Sequence, residues 1–220
     1  MYYSQFKQDQ FINEKFVNNR RGGFFVDVGA HDGVMYSNSY FFEKELGWNG
    51  ICIEPLEEEF KKLSQNRNSI NINSCAFSHD GNVMFTSVQD KKSPHGHSYD
   101  MLSGITENHG TAGRVKNFEL ESKSIEIPCI RLQTVFSKHQ VQHVDYLSID
   151  TEGSEFEVLK GIDFSAVHIN IIEVEHNYDR QRLKKIFNLL QANGFGFVRN
   201  IVCDAFFLNS NLVWGWDLDN

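Results

Sequence analysis

Three short strings place chemically capable side chains where strands give way to loops. The first is Val26-Asp27-Val28-Gly29-Ala30-His31-Asp32-Gly33, which begins within the apolar run Phe24–Val28. Glycine at such a turn takes positive φ and lets the backbone approach a bulky ligand, and an open α/β sheet binds ligands at the carboxyl ends of its strands. The second is Glu54, which follows the apolar run Gly50–Ile53. An acidic residue there can accept hydrogen bonds from both hydroxyls of a ribose, each contributing about 1.5–3 kcal/mol to a charged group. Glu54 could instead only meet a helix macrodipole, but together with the glycine loop it favours a nucleoside ligand. The third feature joins Asp145-Tyr146-Leu147-Ser148-Ile149-Asp150-Thr151-Glu152-Gly153-Ser154-Glu155 to Glu173-Val174-Glu175-His176-Asn177. It puts Asp150, Glu152, Glu175 and His176 at two neighbouring strand ends. Such a set can orient and deprotonate a hydroxyl, or hold Mg²⁺ or Mn²⁺ through Asp150, Glu175 and His176. Glu155 reads better as a helix-capping carboxylate.

Nicotinamide and S-adenosylmethionine sites share this geometry. The first loop lacks the G-x-G-x-x-G spacing that seats a pyrophosphate on a helix N-terminus, and Asp32 would repel phosphates while attracting the ammonium of a methionine moiety. The methyl donor is favoured. Tyr40 and Lys44 have the spacing of a short-chain dehydrogenase pair but follow the glycine loop too closely for that role. His95-Gly96-His97 has the look of a metal pair, yet in so polar a stretch a plain surface loop is the simpler reading.

These residues need a scaffold of alternating strands and helices, which the sequence supplies. Apolar runs at Phe24–Val28, Gly50–Ile53, Ile70–Phe77, Val144–Ile149 and Ile169–Val174 alternate with helical patterns at Gln8–Val17, Ser37–Leu46, Pro55–Arg67, Leu132–His139, from Ser154, and Asp179–Ala192. That is the pattern of an α/β fold with a largely parallel sheet. Phe195–Ile201 and Ala205–Leu208 predict a closing antiparallel pair, and Asp80-Gly81 predicts a hairpin returning along Asn82–Val88. Residues 89–117 are rich in Gly, Ser, His and Asn, without sustained period. Loops that long often act as lids or binding loops.

The chain has 220 residues and a net charge of −8, which fits one domain, 1–220, and argues against a nucleic-acid footprint. No run approaches the roughly 18 apolar residues of a membrane span, and the polar N-terminus lacks a signal-peptide core. Cys52, Cys75, Cys129 and Cys203 are widely spaced, which predicts free, buried thiols in a reducing cytoplasmic compartment. The oligomeric state is not written in these features.

The string Phe24–Asp32, Ile51–Pro55, Ala76-Phe77-Ser78-His79-Asp80-Gly81 and Leu147–Glu155 resemble those of FkbM-type methyltransferases, as do Ser4-Gln5, Gln8-Asp9 and Glu175-His176-Asn177. The resemblance covers nearly the whole chain, with His31 at a position that is glycine in the general loop. It implies a class I methyltransferase fold, Rossmann-like, with a mostly parallel seven-stranded twisted sheet, helices on both faces and an antiparallel C-terminal strand. It implies S-adenosylmethionine as donor, held by Gln8, Asp27, Gly29, Ala30, His31, Asp32, Gly33, Ser37, Glu54, Pro55, Ala76 and Phe77. The implied reaction is O-methylation of a small molecule or glycan, with Asp150, Glu152, Glu175 and His176 on the acceptor. A small NAD(P)-binding oxidoreductase and a donor-binding module without catalysis are the alternatives.

Overall fold

The central strands are buried on both sides, and their alternating side chains feed two different cores. The structure is a computed structural model describing residues 1–89, 98–108, 110 and 112–213, without the side chains of 112 and 114. His95 and His97 lie outside the described residues. Strands β1 (Phe24–Val28), β2 (Asn49–Ile53) and β3 (Ile70–Ile72) form one half of a seven-stranded sheet. On the other side of β1 come β8 (His143–Ile149), β9 (His168–Glu175), β11 (Asp204–Asn209) and β10 (Phe195–Ile201). The order is β10-β11-β9-β8-β1-β2-β3, parallel except that β11 runs against both neighbours. This is the expected class I arrangement with its antiparallel closing strands.

Val26, Val28, Ile51, Leu147, Ile149 and Ile172 face a core shared with α5 (Leu132–His139), α6 (Glu155–Lys160) and α7 (Arg180–Ala192). The alternate residues Phe25, Cys52, Tyr146, Ile171 and Phe206 face a second core. That core is closed by α1 (Gln8–Ile12, continued by a wider π turn to Val17), α2 (Tyr40–Leu46) and α3 (Glu57–Asn66). Period-two burial on both faces explains why these strands read as continuous apolar runs. Asp179 caps α7, accepting from the Gln181 and Arg182 backbone N–H groups. All four cysteines are free, and Cys203 is only half-buried. No helix among the described residues is long and apolar enough to cross a membrane.

Two expectations fail locally. The run Ile70–Phe77 is not one strand: β3 joins the main sheet, while β4 (Cys75–Ala76) joins a second sheet of order β4-β7-β5-β6. Nor does Asp80-Gly81 make a hairpin with it. Strand β5 (Gly81–Val88) pairs antiparallel with β7 (Ser122–Ile130), which lies between β4 and β5; β6 is Gly104–Ile105. The Asp80 carboxylate, instead of turning a hairpin, accepts from the Arg131 backbone N–H at 2.8 Å and the Thr134 hydroxyl at 2.9 Å. Short helix α4 (Ala112–Asn117) lies between β6 and β7.

The tips of β1 and β8 approach so closely that only glycine fits between them. Gly29 has φ +86°, and a Cβ there would overlap the Asp150 carbonyl oxygen. Gly29→Ala should therefore lower unfolding free energy in urea by at least about 2 kcal/mol; an unchanged midpoint would contradict this contact.

Candidate active site

Arg67, just past α3, organises the loop after β1. Its side chain is wholly buried and donates to Glu43 Oε2 at 2.8 Å, the Gly33 carbonyl at 2.9 Å and Ser39 Oγ at 2.9 Å. Ser39 Oγ in turn donates to Asp27 Oδ2 at 2.5 Å, with Ser37 Oγ at 3.4 Å. Gly33 thus faces Arg67 and Leu63 rather than the cleft. The loop backbone is fixed by Gly29 and Ala30 N–H groups donating to the Ile53 carbonyl. Glu54 is buried at the β2 tip, where Oε2 accepts from the His31 N–H and Oε1 from the Leu56 N–H, each at 2.8 Å. Each oxygen keeps a second lone pair for a ligand hydroxyl.

These groups line a cleft of about 630 Å³, within the roughly 300–1,000 Å³ usual for small-molecule sites. Of the expected donor residues, Gln8, Asp27, Gly29, Ala30, His31, Ser37, Glu54, Pro55 and Ala76 lie on its wall. Asp32, Gly33 and Phe77 do not. Asp32 accepts the Val34 and Met35 N–H groups, closing its own turn rather than facing a ligand ammonium. Phe77 is buried with Cys75, Phe85 and Cys129 in the small sheet's core.

Asp150, Glu152 and Glu175 lie on the wall of the same cleft. Asn177 Nδ2 bridges Glu175 Oε2 at 2.5 Å and Glu152 Oε2 at 3.1 Å. His176 is not with them: its Nδ1 accepts the Tyr178 N–H, its Nε2 is buried without a partner, and it is absent from the cleft wall. The expected Asp150, Glu175, His176 metal set is therefore not assembled; Glu155 occupies the third place beside the two carboxylates. Glu155 does not cap α6 as expected: it accepts the Thr151 and Gly153 N–H groups of the preceding loop and pairs with Arg182 at 2.6 Å.

Sequence reasoning missed Asp204, whose Oδ2 accepts from Gln8 Nε2 at 2.8 Å. An acid opening an apolar strand was its only signal. It also missed Arg67, hidden within a helix end rich in charge. From the 89–117 segment, Ser98–Ser103 and Ile105 reach the wall. Asp100 meets His31 Nε2 at 3.3 Å, with Glu59 at 3.5 Å, so this segment is tied to the glycine loop.

The family described as "Methyltransferase FkbM domain" matches residues 27–205. Among solved structures, the methyltransferase FkbM from Methylobacillus flagellatus KT is similar, with TM-score 0.51 and 13% identity over 86% of this chain and 44% of that one. This chain thus spans less than half the length of that structure. Aeropyrum pernix fibrillarin in complex with natively bound S-adenosyl-L-methionine has TM-score 0.49 and 10% identity over 93% of this chain and 73% of that one. No curated protein gives a match. At 13% identity the likeness to the Methylobacillus flagellatus structure speaks for the fold alone.

Burial pushes the Glu54 carboxyl up to about 7. Burial, with the charge of Asp204 behind it, does the same to Asp150, also to about 7, and burial takes Asp204 to about 6. Each group binds its proton more tightly folded than unfolded, so its stability contribution is full below pH ~4 and is lost as pH rises through 6 and 7. His31 adds to the loss at higher pH: burial pulls it down, but Asp100, Asp32 and Glu59 outweigh this and lift it to about 10. His176, lowered by burial and by Arg182, acts oppositely below pH ~6.5, one group against three. The melting temperature of the ligand-free chain should fall as pH rises from about 5 to 7.5, and less steeply in Asp150→Asn; a rise across that range would contradict these proton affinities.

Proposed function

The chain belongs to the FkbM methyltransferase family, and we propose that it moves the methyl group of S-adenosylmethionine to a hydroxyl oxygen of a sugar, glycan or related natural product. The observation that carries this reading is the sharing of one cleft by Glu54, the Gly29–His31 backbone and Asp150, whose carbonyl abuts Gly29. Glu54 takes the ribose hydroxyls, and Gly29–His31 lets the adenosyl group lie close against the backbone. The methyl carbon then points towards Asp150 on the next strand. Residues 1–220 act as one domain, with the 89–117 segment as its lid. The free cysteines support a reducing, cytoplasmic setting.

The reaction is an in-line displacement. A lone pair of the acceptor oxygen attacks the methyl carbon, and the carbon–sulfur bond breaks with its electrons retained by sulfur. S-adenosylhomocysteine results, and the hydroxyl proton passes to the Asp150 carboxylate. Alignment of oxygen, carbon and sulfur can supply ~7–11 kcal/mol of barrier reduction. A base whose pKa burial has raised to about 7 is matched to proton removal at neutral pH. Glu175 and Glu152, linked through Asn177, position the acceptor.

Two measurements test this reading. Glu54→Ala should weaken S-adenosylhomocysteine binding by at least about 100-fold in calorimetry, through loss of two hydrogen bonds to a charged group; undiminished affinity would reject the ribose assignment. Asp150→Asn should retain the donor product yet lower kcat by about 10²–10⁴, and the rise in rate through about pH 7 should vanish with it. Full turnover in that variant would remove Asp150 from the chemistry.

A further inference from the structure

The part of the cleft around Glu54 is encircled. His31 gives its backbone N–H to Glu54 Oε2 at 2.8 Å, and the chain runs on from Glu54 to Cys75 and Ala76 of β4, which line the cleft. Ladder pairing carries the circle from β4 through β7 and β5 to β6, and Phe85 of β5 and Ile105 of β6 are on the wall too. Before β6 the chain makes a tight turn, Tyr99–Leu102. From it Asp100 reaches back to His31: its Oδ1 is 3.3 Å from the ring Nε2, and Glu59 Oε2 of α3 is 3.5 Å from the same nitrogen. The circle closes at these three side chains.

The neighbouring attachments of this segment are tighter. Ser103 Oγ accepts the Val88 N–H at 2.9 Å, and the Thr86 and Thr106 hydroxyls meet at 3.0 Å. Past β6 the chain reaches the loop after β8. There the Gly110 N–H donates to the Glu152 carbonyl at 2.6 Å, and the Asn108 carbonyl fills the place a Cβ on Gly153 would take. The closure at His31 is looser. Charge-assisted N–H···O bonds run to about 2.7–2.9 Å, so contacts of 3.3 and 3.5 Å are weakly made. His31 Nδ1 and Glu59 Oε2 are also buried without a hydrogen-bond partner, which disfavours the closed arrangement. The circle therefore parts most readily here. The Tyr99–Leu102 turn, with Met101 and Leu102 on the cleft wall, is the piece that swings.

We infer that Asp100, His31 and Glu59 form a clasp that shuts this wall around the adenosyl group, and that the clasp must part before the donor enters or S-adenosylhomocysteine leaves. The inference rests on the methyl-transfer reading and adds to it how exchange at that site is governed. Lid openings take microseconds to milliseconds and set turnover in many enzymes. With the clasp as gate, uptake cannot outrun its opening however much ligand is supplied. A cleft open at rest would instead fill in proportion to ligand concentration.

The test is stopped-flow binding of S-adenosylhomocysteine to the full chain, read by intrinsic fluorescence, to which Tyr36 and Tyr99 on the cleft wall contribute. In the unaltered chain the observed association rate should level off as ligand concentration rises. Asp100→Ala should raise that ceiling and the dissociation rate together, each by at least about fivefold, the worth of one weak hydrogen bond, while Kd moves less than either. Glu59→Gln should act in the same direction. A rate that climbs linearly to the highest concentration in the unaltered chain would overturn the inference, whether or not either variant folds. So would faster dissociation in Asp100→Ala with an unchanged ceiling, which is the mark of a plain ligand contact, or unchanged rates in both variants. Failure of the unaltered chain to take up S-adenosylhomocysteine at all would instead overturn the methyl-donor reading beneath it.

Discussion

The buried guanidinium of Arg67 is the constraint on which the donor side depends. One planar cation reaches the start of α2 through Ser39, its middle through Glu43 and the glycine loop through the Gly33 carbonyl. It also lies over the rings of Phe25 and Tyr40, 5.1 and 5.3 Å from their centroids. Its fork of donors suits several oxygens at fixed angles, which a lysine could not match. Its charge also partly offsets the burial that raises the Asp27 carboxyl. With the loop held from behind, Gly29 and Ala30 can present their backbone to the cleft.

The acidic part of the cleft wall is built on the opposite principle. Carboxylates at the tips of three neighbouring strands gather there without an ion-paired cation among the described residues, and neutral partners such as Asn177 and Gln8 hold them in place. Burial, then the neighbouring charges of Asp150 and Glu152, keep Glu175 well above the usual carboxylate range.

The main sheet was legible because every central strand is covered on both sides, so its sequence is apolar along its length. The site was legible where residues sit at the tips of those strands: Gly29, Glu54, Asp150 and Glu175 all reach the cleft. Errors arose where neighbours in sequence part company in space. Phe77 follows Ala76, yet the short strand β4 turns it into the small sheet's core. His176 follows Glu175, but strand alternation sends its ring to the other side. Asp32 looked like a ligand group because spacing does not show which backbone N–H groups a carboxylate will claim for its own turn. The second sheet was the least readable feature, since pairing of β5 with β7 joins segments separated by a long irregular stretch.

That pairing has an evolutionary corollary. Val88 is matched with Ser122, and the Gln89 N–H donates to the Glu121 carbonyl at 2.9 Å. The segment between them therefore starts and ends at a fastened neck on the small sheet. Lengthening a loop whose ends are already closed adds only about 0.6 kcal/mol per doubling. Related chains can therefore exchange or enlarge this excursion, and with it one wall of the chamber, while the donor-gripping frame goes on folding as before.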